Sequence, residues 1–301
     1  MKKIALLLLI TICSAFVFFE KEKPVVYIIG DSTVKNGDGT GKNNQWGWGS
    51  VLGIYFDTTK IEVQNLAIGG RSSRTFITEG RWDKVLSTLK KGDYVLMQFG
   101  HNDAGPLDDT ARARGTIDGI DSSTKEIYNP ITKKQELVYT YGYYMRKYIK
   151  EAQAKGAIPI VCSLIPRNDW KQGKVIRHND SYALWASEVA KQEHALFIPL
   201  NELVSSAYEL IGMKEVTTYF PLDHTHTNYT GAALNAKIIQ EQFREFNLGG
   251  IKKYLIPVPS QQWPTQKKIL KSMQLANKYF MDKWPDAGLS LIHISEPTRP
   301  Y

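Results

Sequence analysis

The chain has 301 residues, 43% of them hydrophobic and 23% charged, and carries a formal net charge of +8. That length and apolar content support a large buried core, which excludes the disordered and fibrous classes. Its lysines and arginines are scattered rather than gathered into a stripe, which argues against nucleic acid as a partner.

Lys2-Lys3 followed by the apolar run 4–19 has the charged and hydrophobic regions of a secretory signal, so residues 1–19 read as a signal peptide. The run is short for a membrane span, and charge returns at once in Glu20-Lys21-Glu22-Lys23. A secreted or periplasmic protein is expected, with no stable membrane insertion once the signal is removed. Cys13 follows Ile10-Thr11-Ile12, which lacks the small residues of a lipoprotein site, so lipid anchoring there is not expected. Cys162, inside the apolar run 158–164, reads as a buried small hydrophobe.

Apolar, β-rich runs recur at 25–29, 61–66, 94–99, 158–164 and 196–200. None alternates cleanly, as suits strands buried on both faces. Helical patterns lie between them at 81–89, 136–155, 181–192 and 201–211, and another at 230–246 follows the last strand. In 136–155 the stripe Leu137, Tyr141, Tyr144, Met145, Tyr148 and Ile149 reads as core packing, ended by Lys155-Gly156. Alternating strands and helices predict an α/β domain over 24–248, with an open parallel sheet covered on both sides. Segment 110–131, polar and rich in Gly and Asp, predicts a long surface insertion near the rim of that sheet. Residues 249–288 read as a helical C-terminal extension. Residues 289–301 include LSLIHISEPTRP, which resembles translated sequencing-adapter read-through and is set aside in reasoning about the fold.

Open parallel sheets build sites at the carboxyl ends of their strands. Three polar turns fall there: Gly30-Asp31-Ser32, Gly69-Gly70-Arg71-Ser72-Ser73-Arg74 and Gly100-His101-Asn102-Asp103. A serine in such a turn becomes a nucleophile only with a base, a group to orient that base, and donors for an oxyanion. Asp223 and His226, three residues apart, can share one turn, so that the carboxylate binds the imidazole Nδ1–H and Nε2 faces outward. A metal site of Asp223, His224 and His226 is the rival reading, but no second ligand cluster completes it and no metal is expected. Gly70 can aim a backbone N–H at a developing oxyanion, or simply make a tight turn. Asn102 is a second donor or an ordinary turn residue. Arg71 and Arg74 are candidates for a substrate carboxylate, with a salt bridge inside the fold as the alternative. His224 reads as substrate rim or helix cap, and Asp31, His101 and Asp103 as braces of their turns. Trp46 and Trp48 read as packing under the first helix in preference to sugar-stacking rings.

Taken in order, Gly30-Asp31-Ser32, Gly70, Gly100-x-Asn102-Asp103 and Asp223-x-x-His226 resemble the four blocks of the SGNH (GDSL-type) hydrolase superfamily. More narrowly, GDSTV, NLAIGGRSSRTF, QFGHND and DHTHTN are similar to the rhamnogalacturonan acetylesterase family of carbohydrate esterases. The resemblance covers 25–246. It implies a three-layer α/β/α sandwich of flavodoxin-like type, with a five-stranded parallel sheet, and ester hydrolysis without a cofactor. It also implies roles by position. Ser32 would be nucleophile, His226 general base and then acid, and Asp223 its orienter. The backbone N–H groups of Ser32 and Gly70, with the Asn102 side chain, would form the oxyanion hole. The implied partner is an acetylated plant cell-wall polysaccharide, rhamnogalacturonan first, acted on by a monomer. Acetylated xylan or another glycan is the same-class alternative, ahead of a lipase or lysophospholipase. A catalytically silent carbohydrate-binding protein on the same scaffold is the alternative from a different class, opposed by the intact Ser32, Asp223 and His226.

Overall fold

The computed structural model describes residues 22–257, so the signal-like residues 1–19, the extension beyond residue 257 and the terminal segment 289–301 lie outside the described residues. In chain order the elements are β1 (Val25–Gly30), α1 (Gly49–Leu52), β2 (Glu62–Asn65), α2 (Ser73–Thr78), α3 (Arg81–Thr88) and β3 (Tyr94–Gln98). There follow a hairpin of β4 (Thr124–Asn129) and β5 (Lys134–Tyr139), then α4 (Tyr141–Ala154), β6 (Ile158–Cys162) and a two-residue-strand hairpin of β7 (Trp170–Lys171) and β8 (Lys174–Val175). Last come α5 (Tyr182–Gln192), β9 (Leu196–Ile198), α6 (Leu200–Ile211), α7 (Met213–Thr217) and α8 (Tyr229–Phe246).

Five strands make one parallel sheet in the order β2-β1-β3-β6-β9. Strands β1, β3, β6 and β9 are buried on both faces because helices cover both, while the edge strand β2 is polar and partly exposed. Val26 and Ile28 of β1 pack into one core with Trp48, Leu203 and Phe243, from the side of α1, α6 and α8. Tyr27 and Ile29 point the other way, into a core with Trp82, Tyr148 and Val189 from α3, α4 and α5. The result is an α/β/α sandwich. Pairing of Gly30 with Gln98 and of Ile28 with Asn65 brings the carboxyl ends of β1, β2 and β3 level. The order reverses between β1 and β3, which opens a crevice at that end of the sheet.

The reading of 136–155 as one helix is corrected. Residues 134–139 form β5, paired antiparallel with β4, and the helix begins only at Tyr141. Thr140 is the reason for the break: its side chain accepts a hydrogen bond from the Tyr143 N–H and caps the helix. Tyr141, Tyr144, Met145, Tyr148 and Ile149 are buried as a core stripe should be, whereas Leu137 is 46% exposed. Cys162 is buried, and burial pushes its thiol up, away from reactivity. Beyond α8 the chain packs back on the domain: Ile251 is buried and Leu255 bridges to Phe56.

Candidate active site

The turn after β1 is shaped by crowding. A Cβ on Gly30 would sit 2.5 Å from the Gln98 carbonyl oxygen and 2.6 Å from Val34 Cγ2, so only glycine lets the chain leave the sheet here. Asp31 is buried, and its Oδ1 accepts from the Thr33 N–H at 2.8 Å and the Thr33 hydroxyl at 2.7 Å. The Gln98 amide donates to that same hydroxyl at 2.7 Å, and its oxygen accepts the Trp48 indole N–H at 2.8 Å. Trp48 is thus fully buried packing. Burial pushes the Asp31 carboxyl up to about 6, with the Thr33 hydrogen bonds opposing. Asp31 braces the turn, and Ser32 is left facing the crevice.

Opposite stands the segment before α8. Trp46 N–H donates to the Thr227 carbonyl at 2.7 Å, and Asn168 N–H to that of His224 at 2.7 Å, so the segment is held from two sides. Asn228 caps α8 by accepting from the Gly231 N–H. Within it, Asp223 Oδ1 accepts from the Thr225 and His226 backbone N–H groups, at 2.7 and 2.8 Å. Its Oδ2 lies 2.7 Å from His226 Nδ1, and His226 Nε2 lies 2.8 Å from Ser32 Oγ. Partial burial works to raise the Asp223 carboxyl, but the hydrogen bonds from His226 and Thr225 outweigh it and hold Asp223 below its usual value. An ionised Asp223 fixes the proton on Nδ1 and leaves Nε2 as an acceptor facing the serine hydroxyl.

The other two strand ends complete the crevice. Gly70 has φ +79°, a left-handed conformation, and neither its N–H nor that of Ser32 donates a hydrogen bond among the described residues. Asn102 donates one amide hydrogen to the Arg71 carbonyl at 3.0 Å, which orients the amide and leaves its second hydrogen for a ligand. Ser32, Gly70, Asn102 and His226 all line one cleft of about 680 Å³. Asp103 holds α2 to this rim through its Oδ1, which accepts from the Ser73 N–H at 3.0 Å and the Ser73 hydroxyl at 2.5 Å. Burial raises its carboxyl to about 7. His101 is also buried, and burial together with the nearby Arg167 keeps it neutral.

Arg74 is a correction to the sequence reading. Its side chain is fully buried and forks onto Glu136 through Nε at 2.7 Å and Nη2 at 2.8 Å, while Nη1 binds the Leu107 and Gly115 carbonyls. It ties the β4–β5 hairpin to α2 and has no atom to offer a substrate. His224 turns to Asp169, 2.8 Å away, and does not line the cleft. Arg71 does line it, though its guanidinium already binds Glu79 and the Gly69 carbonyl. Sequence reading missed Arg112, Arg114 and Arg167. For Arg112 and Arg114 the signal was that the polar insertion 110–131 lies near the rim, and for Arg167 that it follows the strand run 158–164. Among the described residues no group of three or more His, Cys, Asp or Glu side chains is placed to hold a metal ion.

The profile of the GDSL-like lipase/acylhydrolase family matches residues 28–234. The chain belongs to this family. A rhamnogalacturonan acetylesterase from Emericella nidulans is 32% identical over 212 residues, covering 70% of this chain and 81% of the relative. A probable rhamnogalacturonan acetylesterase from Bacillus subtilis, YesY, is 32% identical over 229 residues, covering 74% and 94%. The crystal structure of Bacillus subtilis YxiM superposes with a TM-score of 0.60 at 28% identity, covering 74% of this chain and 57% of that one, so the chain spans little more than half of that protein. As a GDSL-like acylhydrolase with acetylesterase relatives, the protein is a carboxylic ester hydrolase.

Proposed function

We propose that this GDSL-like hydrolase is a secreted serine esterase that removes O-acetyl groups from rhamnogalacturonan. The observation that carries the chemistry is the line of hydrogen bonds from Ser32 through His226 to Asp223, opening into a cleft. The substrate rests on the two relatives named for rhamnogalacturonan, and secretion on the signal-like residues 1–19.

In this reading Ser32 Oγ attacks the acetyl carbonyl as its proton passes to His226 Nε2. The imidazolium that forms is stabilised by Asp223, which stays ionised. Negative charge gathers on the former carbonyl oxygen, where the Ser32 and Gly70 N–H groups and the free Asn102 amide hydrogen receive it. One such donor is worth roughly 3 kcal/mol of transition-state stabilisation. The tetrahedral species collapses to acetyl-Ser32, and the sugar hydroxyl departs with the proton returned by His226. Water then attacks the acetyl-serine as His226 takes its proton, and collapse breaks the bond to Ser32 Oγ, which regains the proton from His226 as acetate leaves.

Acetate release from acetylated rhamnogalacturonan, compared with acetylated xylan under the same conditions, tests the substrate. We expect kcat/KM at least about tenfold higher on rhamnogalacturonan. Equal rates, or a preference for xylan, would overturn the assignment.

A further inference from the structure

Among the described arginines, Arg71, Arg74, Arg81, Arg146 and Arg177 are answered by carboxylates, and Arg244, away from the cleft, donates to the Ile256 carbonyl. Arg74 forks onto Glu136, Arg146 pairs with Glu193, and Arg177 with Glu202 and Glu209. Arg112, Arg114 and Arg167 break that pattern. All three line the cleft that holds Ser32, and none has a carboxylate within 4.0 Å among the described residues. The nearest candidate, Asp109, is spent on the backbone, its two oxygens accepting from the N–H groups of Ala111, Arg112 and Ala113. Glu79, an acidic side chain on the cleft wall, is already shared by Arg71 and Arg81.

Their placement is specific. Terminal nitrogens of Arg112 and Arg114 come within 3.4 and 3.8 Å of where a Cβ on Gly70 would stand, and Arg114 Nη1 donates to the Gly70 carbonyl at 3.3 Å. Two guanidinium groups therefore crowd Gly70, whose own N–H donates no hydrogen bond among the described residues. Burial first, and then the neighbouring Arg112 charge, hold the Arg114 pKa below the usual value. Arg167 enters from a separate loop, after β6, and its Nε is buried without a hydrogen-bond partner. Unpaired, partly desolvated guanidinium groups are an expensive arrangement that a bound carboxylate relieves, because their planar forks match its geometry.

We propose that Arg112, Arg114 and Arg167 form a carboxylate-binding subsite, which receives a uronate of the polysaccharide chain and so holds that chain in the cleft beside Ser32. This rests on the reading of the substrate as a uronate-bearing polysaccharide. It moves carboxylate recognition from Arg74 and Arg71, which the fold has engaged, to three residues it has left open.

The test is calorimetric binding of trigalacturonate to the full chain, beside a neutral galactose trisaccharide, at low and high salt. Binding needs no turnover, so it is independent of whether acetylated rhamnogalacturonan proves to be a substrate. We expect trigalacturonate to bind more tightly than the neutral sugar, with the difference shrinking as salt rises. Arg112→Gln/Arg114→Gln and, separately, Arg167→Gln should weaken trigalacturonate by about ten- to a hundredfold each, since a hydrogen bond to a charged group carries that much. Their effect on KM for acetylated rhamnogalacturonan should exceed their effect on turnover of para-nitrophenyl acetate. Equal binding of the charged and neutral sugars, or folded variants that bind trigalacturonate as the wild type does, would overturn the proposal.

Discussion

Gln45 Nε2 stands 3.2 Å from Asp223 Oδ2, the same oxygen that faces the His226 ring. The Gln45 oxygen in turn accepts from Asn36 Nδ2 at 2.6 Å, so the loop after the Ser32 turn helps to hold the Asp223 carboxylate. In the proposed mechanism Gln45 would act through Asp223 and His226, not on the substrate. Gln45→Ala should lower kcat on para-nitrophenyl acetate by roughly three- to tenfold, the worth of one ordinary hydrogen bond, with KM little changed. Steady-state kinetics check this, and an unaltered kcat would remove Gln45 from the relay.

Gln98 is the buried link between Trp48 and Thr33, and through Thr33 to Asp31. Gln98→Leu would keep the volume but leave the indole N–H without its acceptor and the Thr33 hydroxyl without a donor. We expect a loss of about 1–3 kcal/mol in unfolding free energy, measured by denaturant titration. A stability equal to the wild type would mean that these groups find other partners.

Arg74 and Glu136 form a part-buried fork, with the arginine fully enclosed. Arg74→Met strands the Glu136 carboxylate and two carbonyls, and should cost about 3–5 kcal/mol of stability. Arg74→Lys should recover only part, because one ammonium cannot reproduce the fork. Thermal denaturation of the two variants separates this structural role from substrate binding.

What could be read from sequence, and what could not, divides along chain distance. The strand-end turns were visible because apolar runs, a glycine and a polar cluster follow one another within ten residues. That order alone places Ser32, Gly70 and Asn102 at one edge of a parallel sheet. Asp223 and His226 were visible because their spacing lets them meet within one turn. Gln45 and Asp223 lie 178 residues apart, and no local pattern brings them together. Nor could Arg112, Arg114 and Arg167 be placed, since their approach to the cleft depends on how an irregular insertion and a loop after β6 fold back. Strand β5 was hidden for another reason. Its residues merge into a long apolar helical stripe, and only the Thr140 cap marks where the period changes.

Asp103 titrates in a way that sets a pH signature. Burial lifts its carboxyl from 3.8 to about 7, so between pH of about 4 and 7 the folded chain holds a proton that the unfolded chain has released. Stability from this group is therefore full below about pH 4 and declines as pH rises to about 7. His101, buried and held neutral, has the opposite sign, because the unfolded chain takes up its proton below about 6.5. Asp103→Asn isolates the first effect: its oxygen can still accept from Ser73, while the buried charge is gone. The melting temperature of the variant relative to wild type should rise from pH 4 to pH 8. A difference that stays flat or falls would contradict it.

The most direct test of the central claim is turnover by Ser32→Ala, with para-nitrophenyl acetate and acetylated rhamnogalacturonan as substrates. Removing Oγ deletes the proposed attacking atom and leaves the fold and the cleft intact. We expect kcat to fall by roughly four orders of magnitude or more on both substrates, while the melting temperature holds. Turnover within about tenfold of wild type in a folded Ser32→Ala variant would mean that Ser32 is not the nucleophile.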